Sequence, residues 1–215
     1  MHPQRILVLS PHPEDGELGC GASIVRFLEA GAEVFWAVFT IAEQSTHPPF
    51  KPDEQKREME RATAILGVRP ENVILNNWAV RTFKEHRQEI LDEMIRIRKE
   101  VRPDLVFCHS RDDLHQDHQA VAEEALRAFK QSTILGYELP WNLPVFHADH
   151  FIQVSPAQAE RKAEAVACYN SRSYRPYLSR DKVLALMTVR GLQIETDYAE
   201  CFEVIRSIHR LPADT

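Results

Sequence analysis

The chain has 215 residues and carries 26 Lys+Arg against 32 Asp+Glu, a formal net charge of −6 at pH 7. That length buries a core without metals or disulfides for support, and a mildly acidic chain with no basic tract argues against a nucleic-acid partner. The four cysteines (Cys20, Cys108, Cys168, Cys201) form no C-x-x-C pair, no apolar run is long enough to span a bilayer, and "ILVL" before Ser10 is too short for a signal peptide, so a cytoplasmic chain with reduced thiols is expected.

The elements alternate. "RILVLS" (5–10) is a continuous apolar run, as expected of a strand covered on both faces. "GCGASIVRFLEA" (19–30) has a helical face in Ile24, Phe27 and Leu28, with Gly31 as its stop. "EVFWAVFT" (33–40) is a second buried strand, and Trp36 within it is read as core. Residues 41–53 hold three prolines and no period, so they are read as a long loop of the kind that often carries function. A helix is expected from Asp53, a plausible N-cap, to Leu66, stopped by Gly67. "NVIL" (72–75) is a third strand, 84–100 a helix with a stripe from Ile90 to Ile97, "DLVFCHS" (104–110) a fourth strand and 118–130 a helix.

Beyond that point "TILGYE", "HFIQVS" and "YAECFEVIR" read as strands, and 156–170 and 179–189 as helices. Strand–helix alternation predicts an α/β fold with a mostly parallel sheet and helices on both faces. The expected architecture is a three-layer Rossmann-like sandwich, strand order 3-2-1-4-5, with additional C-terminal strands and helices. With no repeat, low-complexity tract or linker, residues 1–215 are read as one domain.

Two loops stand out. Strand one runs into "SPHPEDGELGCG" and strand four into "HSRDDLHQDH". In the order 3-2-1-4-5 these strands are neighbours, and the crevice at their carboxyl ends is the preferred ligand site. Histidines and acids facing each other there point to a divalent metal, zinc or a close relative. Catalytic zinc takes three protein ligands and leaves a position open to water. Adjacent Glu14 and Asp15 divide that labour if one binds the metal and the other touches its water. The second loop offers His115, Asp117 and His118.

The pair "PHPEDGELGCG" and "HQDH", with "ILGV", "CYNSRS" and "RGLQIETDYAECFEVIR", resembles the LmbE-like, or PIG-L, family of zinc-dependent deacetylases. The resemblance implies His12, Asp15 and His118 as metal ligands and Glu14 as general base. It gives His115 the task of stabilising the oxyanion and protonating the leaving amine, with Asp117 hydrogen-bonded to His115 and raising its pKa. Gly16, Gly19 and Gly21 would let the loop turn tightly beside the metal. One Zn2+ per chain is implied, with Fe2+ or Co2+ also suited to two histidines and a carboxylate. The implied reaction removes an N-acetyl group from an N-acetylglucosamine-type sugar or glycoconjugate. A homo-oligomer is compatible with exposed loops near the cleft.

The chain departs from the family pattern at two positions. Glu14 stands where the family has Asp, and Gln55, followed by Lys56 and Arg57, where some relatives have a substrate-binding Arg. The alternatives left open are an O-acetyl esterase or other amidase using the same metal, and a catalytically degenerate ligand-binding member. A dinucleotide-binding turn is disfavoured, because 16–21 reads G-x-x-G-x-G behind two acids that would repel a pyrophosphate. His109 is read as a supporting or packing residue. His147 and His150, on opposite faces of an extended stretch, are read as non-ligands. Cys20 is read as a buried small hydrophobe. Arg190 and Glu200 either line the cleft or pair with each other, and Trp141 either stacks on a sugar or packs in a loop.

Overall fold

The continuous apolar run of the first strand exists because both of its faces are covered. In the computed structural model, which describes residues 3–209, β1 (Arg5–Ser10) sends Ile6 and Val8 into one core and Leu7 and Leu9 into a second. This is the alternation a strand imposes on successive side chains. Its parallel neighbours are β2 (Glu33–Val38), with Ile6 opposite Val34, and β4 (Leu105–His109), with Ile6 opposite Leu105.

The sheet is completed by β3 (Val73–Leu75), β5 (Thr133–Tyr137), β6 (His150–Val154) and β7 (Tyr198–Arg206), in the order β3-β2-β1-β4-β5-β7-β6. The predicted 3-2-1-4-5 order is present within it. β7 pairs antiparallel with both β5 and β6, so it alone runs against the other strands. Among the described residues six α-helices form the outer layers: α1 (Asp15–Glu29), α2 (Glu54–Leu66), α3 (Arg87–Val101), α4 (Gln116–Ala128), α5 (Pro156–Val166) and α6 (Arg180–Leu192). α1, α2, α5 and α6 cover the face that buries Trp36 and Phe107, and α3 and α4 cover the other. Among the described residues no helix is long and apolar enough to cross a membrane.

The segment after β1 differs from its expected form. Helix α1 starts at Asp15 rather than at position 19, so Gly16, Gly19 and Gly21 are helical residues and not turn formers. Their smallness serves the approach of helix to sheet. A Cβ at Gly16 would lie 2.3 Å from Cζ2 of Trp36, and one at Gly19 2.2 Å from Cδ2 of Tyr137. Helix α1 therefore lies close against the sheet, with its first turn over the carboxyl end of β1.

Gly19→Ala should destabilise the protein by about 1–3 kcal/mol, the usual cost of overpacking, in a chemical denaturation experiment. The Tyr137 ring has little freedom to yield, since its hydroxyl donates to the Leu9 carbonyl at 2.9 Å and bonds the His109 ring at 3.0 Å. A change smaller than about 0.5 kcal/mol would show that the approach is looser than described.

The irregular stretch 41–53 contains one turn of 3-10 helix, Glu43–Ser45. Asp53 sits at the N-cap of α2 without a side-chain capping bond, its carboxylate taken instead by Arg57 at 2.6 Å. Arg190 and Glu200 do not pair with each other. Arg190 holds Glu138, with Nε–Oε2 at 2.9 Å, and Glu200 holds Lys162 at 2.6 Å.

Candidate metal centre and active-site pocket

The loop after β1 and the loop after β4 meet at the carboxyl edge of the sheet, where adjacent parallel strands place them. His12 stands between β1 and α1, Asp15 opens α1, and His118 lies in the first turn of α4. His12 is 8% exposed, Asp15 4% and His118 2%. Their facing atoms form a triangle: His12 Nδ1 to His118 Nε2 is 3.0 Å, His12 Nδ1 to Asp15 Oδ2 is 3.1 Å, and His118 Nε2 to Asp15 Oδ2 is 3.3 Å. Donors about 2.0 Å from a tetrahedral zinc stand about 3.3 Å apart, so the spacing suits such an ion.

The hydrogen bonds behind the triangle decide which nitrogens face it. His12 Nε2 donates to Asp117 Oδ2 at 3.1 Å, and His118 Nδ1 donates to Asp113 Oδ2 at 2.9 Å. Each ring thus commits its far N–H to a carboxylate and turns a lone pair inward. Carboxylates behind ligand histidines are a recurrent feature of metal sites, where they fix the tautomer and raise ligand basicity. Two lone pairs and a carboxylate oxygen this close repel one another unless a cation lies among them. The donor set therefore fits a divalent metal.

The same carboxylates govern protonation. Burial disfavours charge on His12, yet Asp15 and Asp117 push its pKa up to about 10. Burial also opposes charge on Asp113 and Asp117, while the imidazole bonds hold both carboxyls below their usual range. A proton on His12 and a metal in the triangle are alternatives. Metal binding near pH 7.5 should consequently release about one proton or more per ion, measurable by calorimetry in buffers of different ionisation enthalpy. Uptake without proton release would place the metal elsewhere.

Asp117 does not support His115 as expected. Its carboxylate accepts from His12 and from the backbone N–H groups of Arg81 at 2.7 Å and Phe83 at 3.4 Å. The bond to His115 runs the other way, the Asp117 N–H donating to His115 Nδ1 at 3.2 Å. His115 is thereby the N-cap of α4, with a lone pair on Nδ1 and its proton on Nε2. Burial and the neighbouring His12 and His118 rings lower its pKa to about 4, opposite in direction to the rise that the resemblance implies.

Glu14, the residue before α1, is 3% exposed. Its Oε1 meets Arg172 Nη1 at 3.1 Å, while Oε2 has no hydrogen-bond partner. Arg172 is also held by Gln55 Oε1 at 3.0 Å, and Gln55 Nε2 bonds Thr46 Oγ1 at 2.8 Å. Gln55 thus anchors an arginine from elsewhere in the chain. His12, Glu14, Asp15, His115, His118 and Arg172 line one cavity of about 180 Å³, with Ser45, Arg81, Trp141, Arg175 and Tyr177 around it. Trp141 stacks on Tyr177 at 4.0 Å and 9° between planes. It is both loop-packed and part of the cavity wall.

His109 is fully buried against His118, ring centroids 3.7 Å apart, with Nε2 3.6 Å from Asp15 Oδ2. Two further sets of three donors, His12 with His115 and His118, and Asp15 with His109 and His118, also lie within 4.8 Å. Among the described residues neither His147 nor His150 belongs to such a set. Cys20 is buried in the core, and the four cysteines are free. Sequence reasoning passed over Asp113 and Arg172. Asp113 left a signal, a carboxylate in the same loop as two candidate histidines, and Arg172 lies within the "CYNSRS" segment quoted for the resemblance, where nothing local marks it as a partner of Glu14.

A buried His/Asp donor cluster at the carboxyl edge of a parallel α/β sheet defines a candidate metal centre on a doubly wound fold. The chain belongs to the PIG-L family: the family profile described as GlcNAc-PI de-N-acetylase matches residues 7–129. It is 33% identical over 140 residues to an uncharacterized deacetylase, YaiS, of Escherichia coli (strain K12), covering 63% of this chain and 74% of that protein. The fold is shared with the N,N'-diacetylchitobiose deacetylase of Pyrococcus horikoshii, with a TM-score of 0.77, 19% identity and coverage of 94% and 84% of the two chains. It is shared also with GalB, the 4-carboxy-2-hydroxymuconate hydratase of Pseudomonas putida KT2440, with a TM-score of 0.74, 17% identity and coverage of 97% and 100%. The fold alone therefore does not fix the reaction, and the residues must carry that argument.

Proposed function

We propose that the protein is a metal-dependent hydrolase that removes the acetyl group from the nitrogen of an N-acetylglucosamine-type sugar or glycoconjugate. The observation that carries this reading is the donor triangle of His12, Asp15 and His118 with the unpartnered Oε2 of Glu14 on the same cavity. Family membership and the deacetylase relative support it.

A divalent ion held by His12, Asp15 and His118 would polarise the amide carbonyl and acidify a water. Glu14 takes a proton from the attacking water on Oε2, its other oxygen being held by Arg172. His115 offers Nε2–H to the carbonyl oxygen as negative charge grows there. A neutral imidazole donor of this kind has its Nδ1 fixed as an acceptor, as the Asp117 N–H fixes it here. Glu14 then returns the proton to the departing nitrogen. The C–N bond breaks, and acetate and a free amine leave.

Acetate release should be measurable from a panel of N-acetylated amino sugars and their glycosides, lost on chelation and restored by Zn2+, Fe2+ or Co2+. A panel of O-acetyl esters, other amides and unsaturated acids run in parallel separates the esterase, amidase and hydratase alternatives. Turnover of those compounds but of no N-acetyl sugar would overturn the reading.

A further inference from the structure

Behind the Trp141–Tyr177 stack lies a second cavity, of about 280 Å³, that the proposed chemistry does not use. Trp141 and Tyr177 line both cavities, so the stacked pair is the ridge between them. The walls of the second are Leu18 from α1, Pro140, Pro176, and Val183 and Leu186 from α6. Leu18 follows Glu14 by four residues, which places this cavity beside the catalytic one.

The cavity is apolar despite three charged residues around it. Lys162 directs its ammonium to Glu200 and to the Leu18 carbonyl, both at 2.6 Å, and contributes its stem. Glu138 is neutralised by Arg190 through two bonds. Lys182 is exposed. A ligand group entering here meets hydrocarbon, with its polar demands already satisfied inside the protein. Apolar cavities of about 150 Å³ hold a benzene, so this one has room for a chain of roughly six to eight carbons or a fused ring.

We propose that this cavity is a subsite for an alkyl or aryl group on the outward end of the sugar, making the substrate an amphipathic N-acetylated glycoside; the proposal rests on the deacetylase reading above. The two cavities share Trp141 and Tyr177 as their common wall, so a group leaving one over that ridge reaches the other. The reacting end is fixed by the buried triangle, whereas Trp141 is 42% exposed and marks the mouth. A group that crosses the ridge is joined to the part of the substrate that faces the mouth. An N-acyl chain starts instead at the buried floor and would have to double back.

Binding of methyl and hexyl β-D-glucopyranoside, measured by calorimetry, tests this without turnover, because neither carries an amide. Each fully buried methylene tightens binding about fourfold, so the hexyl compound should bind at least about tenfold more tightly than the methyl compound. Leu186 is partly exposed, so Leu186→Glu and Leu186→Trp are compatible with folding, which circular dichroism would confirm. Both should abolish the hexyl preference, one by charge and one by filling the space.

Equal binding of the two glucosides, or a preference that survives both substitutions, overturns the proposal. So does a pair in which N-hexanoylglucosamine rather than the hexyl glycoside gains affinity through Leu186, since the cavity then takes the acyl chain. Failure of the deacetylase reading would show separately, as absent acetate release with the hexyl preference intact.

Discussion

Glu14→Gln should keep the metal and lose about 10²–10⁴-fold in kcat, the range expected when a positioned general base is removed. The amide is nearly isosteric, and the donor triangle does not include residue 14. Metal content and the binding of a non-hydrolysable substrate should therefore stay close to those of the unaltered protein. Glu14→Asp separates a built-in base from a degenerate one. The site holds Glu14 through Arg172 at 3.1 Å, and Arg172 through Gln55. Shortening the side chain by one methylene withdraws the carboxylate by about 1 Å or more, a displacement that can cost about 100-fold in rate. Activity in Glu14→Asp should fall. A rise would mean that glutamate is an impaired substitute and that Arg172 holds it out of use.

Lys162→Met should destabilise the protein by about 3–5 kcal/mol in chemical denaturation, because it leaves a buried carboxylate without its counter-charge. The side chains of Lys162 and Glu200 are 4% and 3% exposed, with 2.6 Å between Nζ and Oε1. Glu200 also accepts the N–H groups of Ala22 at 3.2 Å and Ser23 at 2.6 Å, in the middle of α1. The pair fastens α1 to α5 and β7, and α1 carries Asp15 at its first turn. The double variant Lys162→Met/Glu200→Gln should recover part of the loss, since the uncompensated charge is gone. Equal stability of the single and double variants would remove charge from the explanation.

Much of the site was legible because the sheet does the assembling. Continuous apolar runs at 5–10 and 104–110 identify buried parallel strands, and parallel neighbours bring their carboxyl ends together. Two loops rich in His and Asp then need no further information to meet. The C-terminal strands were legible as strands, but their antiparallel pairing depends on tertiary contacts outside the alternating pattern. The start of α1 was misjudged because Glu14, Asp15, Gly16 and Glu17 read locally as a polar turn. In the structure Gly16 and Gly19 are small to admit Trp36 and Tyr137, contacts that no local pattern records.

The supporting groups were harder to read. Arg172 reaches Glu14 from 158 positions along the chain, and only the fold brings them together. The direction of the Asp117–His115 bond depends on where α4 begins. With His115 at the N-cap, its ring accepts from a backbone N–H two residues on, and the Asp117 carboxylate is left for His12. That assignment depends on the exact start of α4, and helix ends are the least certain part of a sequence reading.

The most direct test is a metal titration of the chelator-treated protein beside its Asp15→Ala and His118→Ala variants, read by elemental analysis after gel filtration. The unaltered chain should retain one equivalent of Zn2+, and each variant should retain almost none at the same free metal concentration. Variants that hold zinc as tightly as the unaltered chain would contradict the account, because the ion would then lie outside the triangle on which the chemistry depends.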